Sequence, residues 1–230
     1  MRGEVISYLE MCSAESASLQ RGMNFRLGGR RSIFLMSTRP NAPYRDRVED
    51  EGMTLVYEGH DVPRSGKVVD PKTVDQPRTS SSGTLTENGK FFQAAEEYKR
   101  GCAPEVVRVY EKIRDGIWTD NGFFNLVDSW LESDGKRKVF KFRLEAVEVE
   151  QDKGGMSVLV TLPNRTRVIP SAVKQEVWLR DGGKCTLCQA NDELHFDHVI
   201  PYSKGGSSLV AANIQLLCAR HNLNKSAKIE

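Results

Sequence analysis

The chain lacks any run of about 18 uncharged apolar residues, so nothing in it is long enough to cross a bilayer as a helix. Its first residues, MRGEVISYLEMCSAES, have no apolar core flanked by basic residues, so no secretory signal is expected. A charge excess is lacking too. There are 33 Lys and Arg against 31 Asp and Glu, a formal net charge of +2 in 230 residues. The class of partner therefore cannot be read from the total charge, and only local patches could matter. Cysteine is scarce, five in all, and the odd number argues against a disulfide framework. No internal repeat is visible. With 39% hydrophobic and 28% charged residues the composition is that of a globular protein, and the length suits one large domain or two modest ones.

What is present is unevenly spread. Cys185, Cys188 and Cys218 and the histidines 195, 198 and 221 lie near the C-terminal end, whereas Cys12 and Cys102 stand alone. Along the remainder, VISYLEMC predicts a short helix, and Ser32–Ser37 and residues 53–57 predict strands. Residues 60–90 read as a long loop. In GKFFQAAEEYKR (89–100), Phe91, Phe92, Ala95 and Tyr98 recur at helical spacing. Strands are expected around Val106–Tyr110 and Phe123–Val127, the latter after a turn at Asp120-Asn121-Gly122. In 139–147, Phe140, Phe142, Leu144 and Ala146 alternate with charged residues. Trp118 and Trp130 are expected in the core. Residues 148–170 read as a junction, and a helix is expected from Ser171 to near Gly182.

Cys185-Thr-Leu-Cys188 and Cys218-Ala-Arg-His221 are two ligand pairs, each with a two-residue gap that lets one turn supply two ligands to a tetrahedral Zn²⁺. The alternative, a redox CxxC, calls for a βαβ unit that this segment lacks. Between the pairs lie Asp197-His198 and Asn213, and Asn222 follows. Asp197 and Asn222 offer hard oxygen donors suited to Mg²⁺ or Mn²⁺. An imidazole such as His198 is suited to deprotonate a water that attacks phosphorus. His195 is read as strand decoration or a substrate contact, and Lys204 and Lys225 as candidate phosphate contacts.

Residues 167–227 resemble an HNH endonuclease domain of the ββα-metal type, through Arg-Val-Ile-Pro, Arg180-Asp-Gly-Gly-Lys-Cys and Asp-His-Val-Ile-Pro. The resemblance implies that His198 is the general base, Asp197 a metal ligand, Asn213 the central asparagine that supports the loop and positions the histidine, and Asn222 a second ligand of the catalytic metal. His221 competes for that last role, but it stands where the family carries a zinc cysteine, and it is assigned to zinc.

Residues 21–147 resemble the SRA (YDG) fold, a curved β-barrel-like reader of modified cytosine. The resemblance is carried by Arg30-Arg31-Ser-Ile-Phe-Leu, Tyr44-Arg-Asp-Arg-Val-Glu-Asp-Glu-Gly52 and Leu55-Val-Tyr57-Glu-Gly59. It continues in Glu105–Tyr110, Arg114–Trp118 and Phe124–Trp130. It implies Tyr44 and Tyr57 as the pair that stacks an extruded base and Asp46 as acceptor for its N4 amino group. Arg64, Lys67 and Arg78, in the long loop, would fill the vacated position or grip phosphates.

The expected architecture is thus α+β. An SRA-like reader spans 1–150, a linker 151–169 and an HNH domain with a structural zinc 170–230. The expected protein is a bacterial, cytoplasmic, type IV-like restriction endonuclease, forming a homodimer on double-stranded DNA. It would flip 5-methylcytosine or a related C5-modified cytosine and hydrolyse nearby phosphodiesters to 5′-phosphate and 3′-hydroxyl ends. The alternatives are a non-catalytic modified-DNA binder and an HNH nickase indifferent to methylation.

Overall fold

A computed structural model describes residues 3–64, 70–151, 157–160, 168–201 and 204–225. Its elements are β1 (Val5–Ile6), α1 (Tyr8–Glu15), β2 (Met23–Leu27), β3 (Arg31–Met36), β4 (Arg47–Glu49), β5 (Thr54–Glu58), α2 (Glu87–Lys99), β6 (Glu105–Arg114), β7 (Ile117–Ser133), β8 (Lys138–Gln151) and β9 (Ser157–Val160), then α3 (Ser171–Arg180), β10 (Leu194–His198), β11 (Ile214–Cys218) and α4 (Ala219–Lys225). Among the described residues no helix is long and apolar enough to cross a membrane.

The large sheet runs β2-β3-β6-β7-β8-β5-β4, with β1 added to β7 and β9 to β8. Among the described residues only β3 and β6 run parallel. β2 and β4 end the path and are not paired with each other among the described residues, so the sheet is open and the expected barrel is not closed. α2 covers one face. Thr86 caps its start, accepting from the Gly89 amide, and the Glu87 carboxylate takes the Phe25 amide at 2.6 Å, which ties helix to β2. Between helix and sheet lies an aromatic core: Phe34 packs on Phe91 (4.5 Å), and Phe91 on Phe142 (6.0 Å).

Several local expectations change. VISYLEMC divides, Val5–Ile6 entering the sheet while the helix runs Tyr8–Glu15 behind a Ser7–Glu10 capping box. Asp120-Asn121-Gly122 is no turn but lies within β7, near its start, and the chain reverses at Asp115–Gly116 instead. The polar residues are tolerated there because their side chains are used internally: Asp120 binds the Gly122 amide and Arg108, and Asn121 binds Glu111. Trp118 and Trp130 are half-buried, Trp118 packing against the edge of a core cluster that contains Ile33 and Tyr110. The junction holds a hairpin, β8–β9. Lys141 sits on the polar side of the alternation yet is 1% exposed, because Glu58 pairs with it at 2.8 Å.

β10, β11 and α4 form a separate ββα unit, in register from Leu194↔Cys218 to His198↔Ile214, with its own core of Val177, Leu194, Phe196, Leu216 and Leu217. Val168 packs in the first core and Ile169 in the second.

Candidate active site and base cavity

The ends of the β10–β11 hairpin fix the C-terminal cluster. Arg180, at the end of α3, donates to the Ala211 and Ile214 carbonyls, and its neighbour Asp181 accepts the Leu216 amide at 2.9 Å. The turn that carries Cys185 and Cys188 is thereby anchored to β11. The four ligand atoms of Cys185, Cys188, Cys218 and His221 lie within 4.8 Å of one another. Cys188 Sγ to Cys218 Sγ is 3.8 Å, and His221 Nδ1 lies 3.5 Å from Cys185 Sγ and 3.3 Å from Cys218 Sγ. A tetrahedral Zn²⁺ with ordinary Zn–S and Zn–N bonds requires edges of about 3.8 and 3.6 Å. These three edges match those values, and the cluster suits a Cys3His zinc-type site. Burial alone would raise the Cys185 thiol, but the Cys218, Cys188 and Leu187 amides and the His221 ring bring it down to about 6, which favours the thiolate a metal needs.

At the other end of β10, His198 is half-buried and its Nε2 lies 2.8 Å from the Ser208 hydroxyl. Asn213 closes the loop between them. Its Oδ1 accepts from the Ile200 amide at 2.8 Å, its Nδ2 donates to the Ile200 and Ser207 carbonyls, and its own carbonyl takes the Val199 amide. Gly206 fits beneath because it has no side chain: a Cβ there would meet the Ile200 carbonyl oxygen at 1.8 Å. Burial lowers the His198 pKa, Asp197 opposes that shift and Lys225 adds to it.

Lys225 is 2% exposed and donates to Asp197 Oδ2 at 2.5 Å and to the His198 carbonyl. The expected phosphate contact is corrected, since a buried ammonium that holds these two groups is unavailable to DNA. His195 is 3% exposed and pairs through its backbone with Glu4, which places it at an internal seam and not on a substrate face. Lys204 is exposed. Asn222 is half-buried on α4, and its side chain makes no hydrogen bond among the described residues. Asp197 and Asn222 are hard oxygen donors and suit a divalent cation in kind.

In the N-terminal sheet, a cavity of about 470 Å³ is lined by Tyr44, Asp46 and Tyr57 together with Arg21, His60 and Trp118. Asp46 forms part of the wall through a carboxylate pinned by the Ser37 and Glu58 amides, both at 2.9 Å. Desolvation raises its pKa to about 7, those amides and the distant Lys141 ammonium opposing. One face of the Tyr57 ring stacks on Phe34 at 4.2 Å, and its hydroxyl lies 3.0 Å from His60 Nε2. Tyr44 stacks on His60 at 5.2 Å. His60 thus makes ring contact with both tyrosines. Its backbone is held twice by Asn88, and burial drops its pKa to about 4, so it is neutral. Gly22 makes room for it, as a Cβ there would lie 2.7 Å from Nε2. Sequence reasoning missed His60, Ser208 and the burial of Lys225. A histidine directly after Tyr57-Glu-Gly gives no periodic signal.

Tyr44 and His60 also face a second cavity, of about 990 Å³, bounded by the loop that carries Arg64 and Lys72. Lys72 sits over the Tyr44 ring at 4.2 Å. Arg64 is exposed on this wall, whereas Arg78 lies over Phe92 at 4.8 Å. Lys67 falls outside the described residues.

Residues 185–228 match the HNH endonuclease family model. The match covers the zinc-type cluster, the His198 loop and α4. Among solved structures, the chain is similar to an SRA domain of SUVH5 in complex with hemi-methylated CG DNA, with 22% identity over 61% of this chain and 83% of that one and a TM-score of 0.41. It is similar to the TagI modification-dependent restriction endonuclease, with 15% identity over 97% of this chain and 76% of that one and a TM-score of 0.40. It is also similar to Arabidopsis thaliana SUVH6, with 18% identity over 63% of this chain and 25% of that one and a TM-score of 0.40. No curated protein matches the chain.

Proposed function

We propose that the chain is a modification-dependent DNA endonuclease. Its N-terminal domain takes an extruded C5-modified cytosine into the 470 Å³ cavity, and its HNH unit hydrolyses a nearby phosphodiester. The reading rests on the HNH match over a hairpin that holds His198 at Ser208, in the same chain as a cavity walled by Tyr44, Asp46 and Tyr57. The cavity lies within the roughly 300–1,000 Å³ usual for small-ligand sites. Extruding a base costs a few kcal/mol, which stacking on aromatic faces and hydrogen bonds to the base edge offset. Tyr44 and Tyr57 on the cavity wall are the rings assigned to that stacking, and ionised Asp46 accepts from the N4 amino group.

In the HNH unit, His198 is kept neutral by burial. With its Nε2 proton donated to Ser208 Oγ, Nδ1 carries the lone pair and accepts the proton of the attacking water. Asn213 holds the loop that fixes this ring. Lys225 orients Asp197. Asp197 and Asn222 would hold Mg²⁺ or Mn²⁺, which when bound stabilises charge on the phosphoryl and leaving oxygens. One such site cuts one strand, so a double-strand break calls for a homodimer or two successive nicks.

The test is His198→Ala. Cleavage should be lost while zinc content and binding to modified duplex stay at wild-type levels. Undiminished cleavage by the variant refutes the assignment.

A further inference from the structure

Contacts between the cavity-bearing sheet and the HNH unit among the described residues include three sets. Gly3 hydrogen bonds both ways, its amide to the Asp120 carbonyl of β7 (2.8 Å) and its carbonyl from the Phe196 amide of β10 (2.9 Å), while β1 pairs with β7. Val168 donates to the Gly52 carbonyl at 2.8 Å. Glu111 of β6, 0% exposed, meets Lys174 of α3, 1% exposed, at 2.7 Å.

This third contact is the most demanding. Glu111 Oε2 also accepts from Asn121 Nδ2 at 3.0 Å, and its Oε1 accepts from the Ser171 hydroxyl. Lys174 reaches Asn121 Oδ1 at 2.6 Å, and Thr38 donates to Ser171. A buried charge stranded from its partner is strongly unfavourable, so a cluster of this kind penalises most other placements of α3 on β6 and β7. Thr38 follows Ser37, whose amide holds Asp46 in the cavity wall. The cluster therefore stands one residue from the base cavity and on the first helix of the nuclease half.

We propose that Glu111 and Lys174 are positioning residues that lock the HNH unit at one place relative to the base cavity, so that the cut falls at a set distance from the modified base. The proposal rests on the endonuclease reading for its consequence, but the lock itself is measurable without cleavage. Spin labels at Cys102 and at Asp192→Cys, in a Cys12→Ser background, report the distance between the halves by pulsed electron resonance.

Wild type should give one narrow distribution and one cut spacing on DNA with a single modified cytosine. Lys174→Ala should widen the distribution roughly twofold and spread the cuts, as expected of domains joined by a loosened interface. Zinc content and modified-duplex binding should persist, which shows that both halves remain folded. Glu111→Gln with Lys174→Met, which keeps the volume and removes both charges, guards against simple misfolding and should also spread the cuts. A broad distribution in wild type, or a narrow one in Lys174→Ala with unchanged cut spacing, overturns the proposal. Absence of cleavage by wild type refutes the endonuclease reading instead, and the distance measurement still decides the lock.

Discussion

The Ser208 hydroxyl lies 2.8 Å from His198 Nε2, and Ser208 is 1% exposed. An imidazole can act as a base at Nδ1 only when its proton rests on Nε2, and in the proposed mechanism the Ser208 hydroxyl accepts that proton. Ser208→Ala should lower the cleavage rate about tenfold and leave modified-duplex binding unchanged, the size expected for loss of one orienting hydrogen bond. Single-turnover cleavage checks it, and an unchanged rate would mean that the hydroxyl has no part in orienting the ring.

Asp46 carries the clearest pH signature. Its folded pKa of about 7 lies above the usual carboxylate value because desolvation outweighs the amides that bind it. The folded chain therefore holds this proton more tightly than the unfolded chain does. Asp46 contributes fully to stability in acid, and that contribution is lost as pH rises toward 7, at about 1.4 kcal/mol per pH unit in between. Binding runs the other way, since only the ionised group purely accepts. Asp46→Asn should flatten this part of the stability profile in thermal melts, and its affinity for modified duplex should fall about tenfold or more. Wild-type affinity should weaken as pH drops from about 8 to about 6 through the Asp46 pKa. A variant that binds as well as wild type removes Asp46 from the recognition step.

Much of this was legible in the sequence, and the losses have physical causes. The Cys and His spacing pointed to the zinc-type cluster because its ligands pair locally, two residues apart. The alternation at Phe140, Phe142 and Leu144 marked β8. By contrast, Asp120-Asn121-Gly122 carries turn chemistry that the strand overrides, because Arg108 and Glu111, distant in sequence or across the sheet, satisfy its side chains. β1 is two residues long and owes its place to partners more than a hundred positions away. Lys225 read as a phosphate contact, and only the fold shows it buried against Asp197. His60 joins the cavity through long-range contacts with Tyr44 and Asn88, which no local pattern announces.

The Cys3His cluster predicts one tightly held zinc per chain. Cys185→Ser should lose the metal by elemental analysis and abolish cleavage, because the turn at Cys185 and Cys188 anchors to β11 through the Thr186 amide and the Leu216 carbonyl. Structural zinc contributes folding free energy directly, on the order of 10 kcal/mol in small metal-dependent modules. The loss should therefore appear as early melting of the C-terminal half. Full zinc occupancy in the variant would show that the four side chains do not share one ion.

If the sheet cavity reads a modified base for the HNH unit in the same chain, cleavage of a single plasmid carried with and without C5 methylation of cytosine, in the presence of Mg²⁺, tests it directly. Cutting confined to the methylated plasmid is the predicted result. Equal cutting of both would contradict it and leave an HNH nuclease whose first domain reads something else.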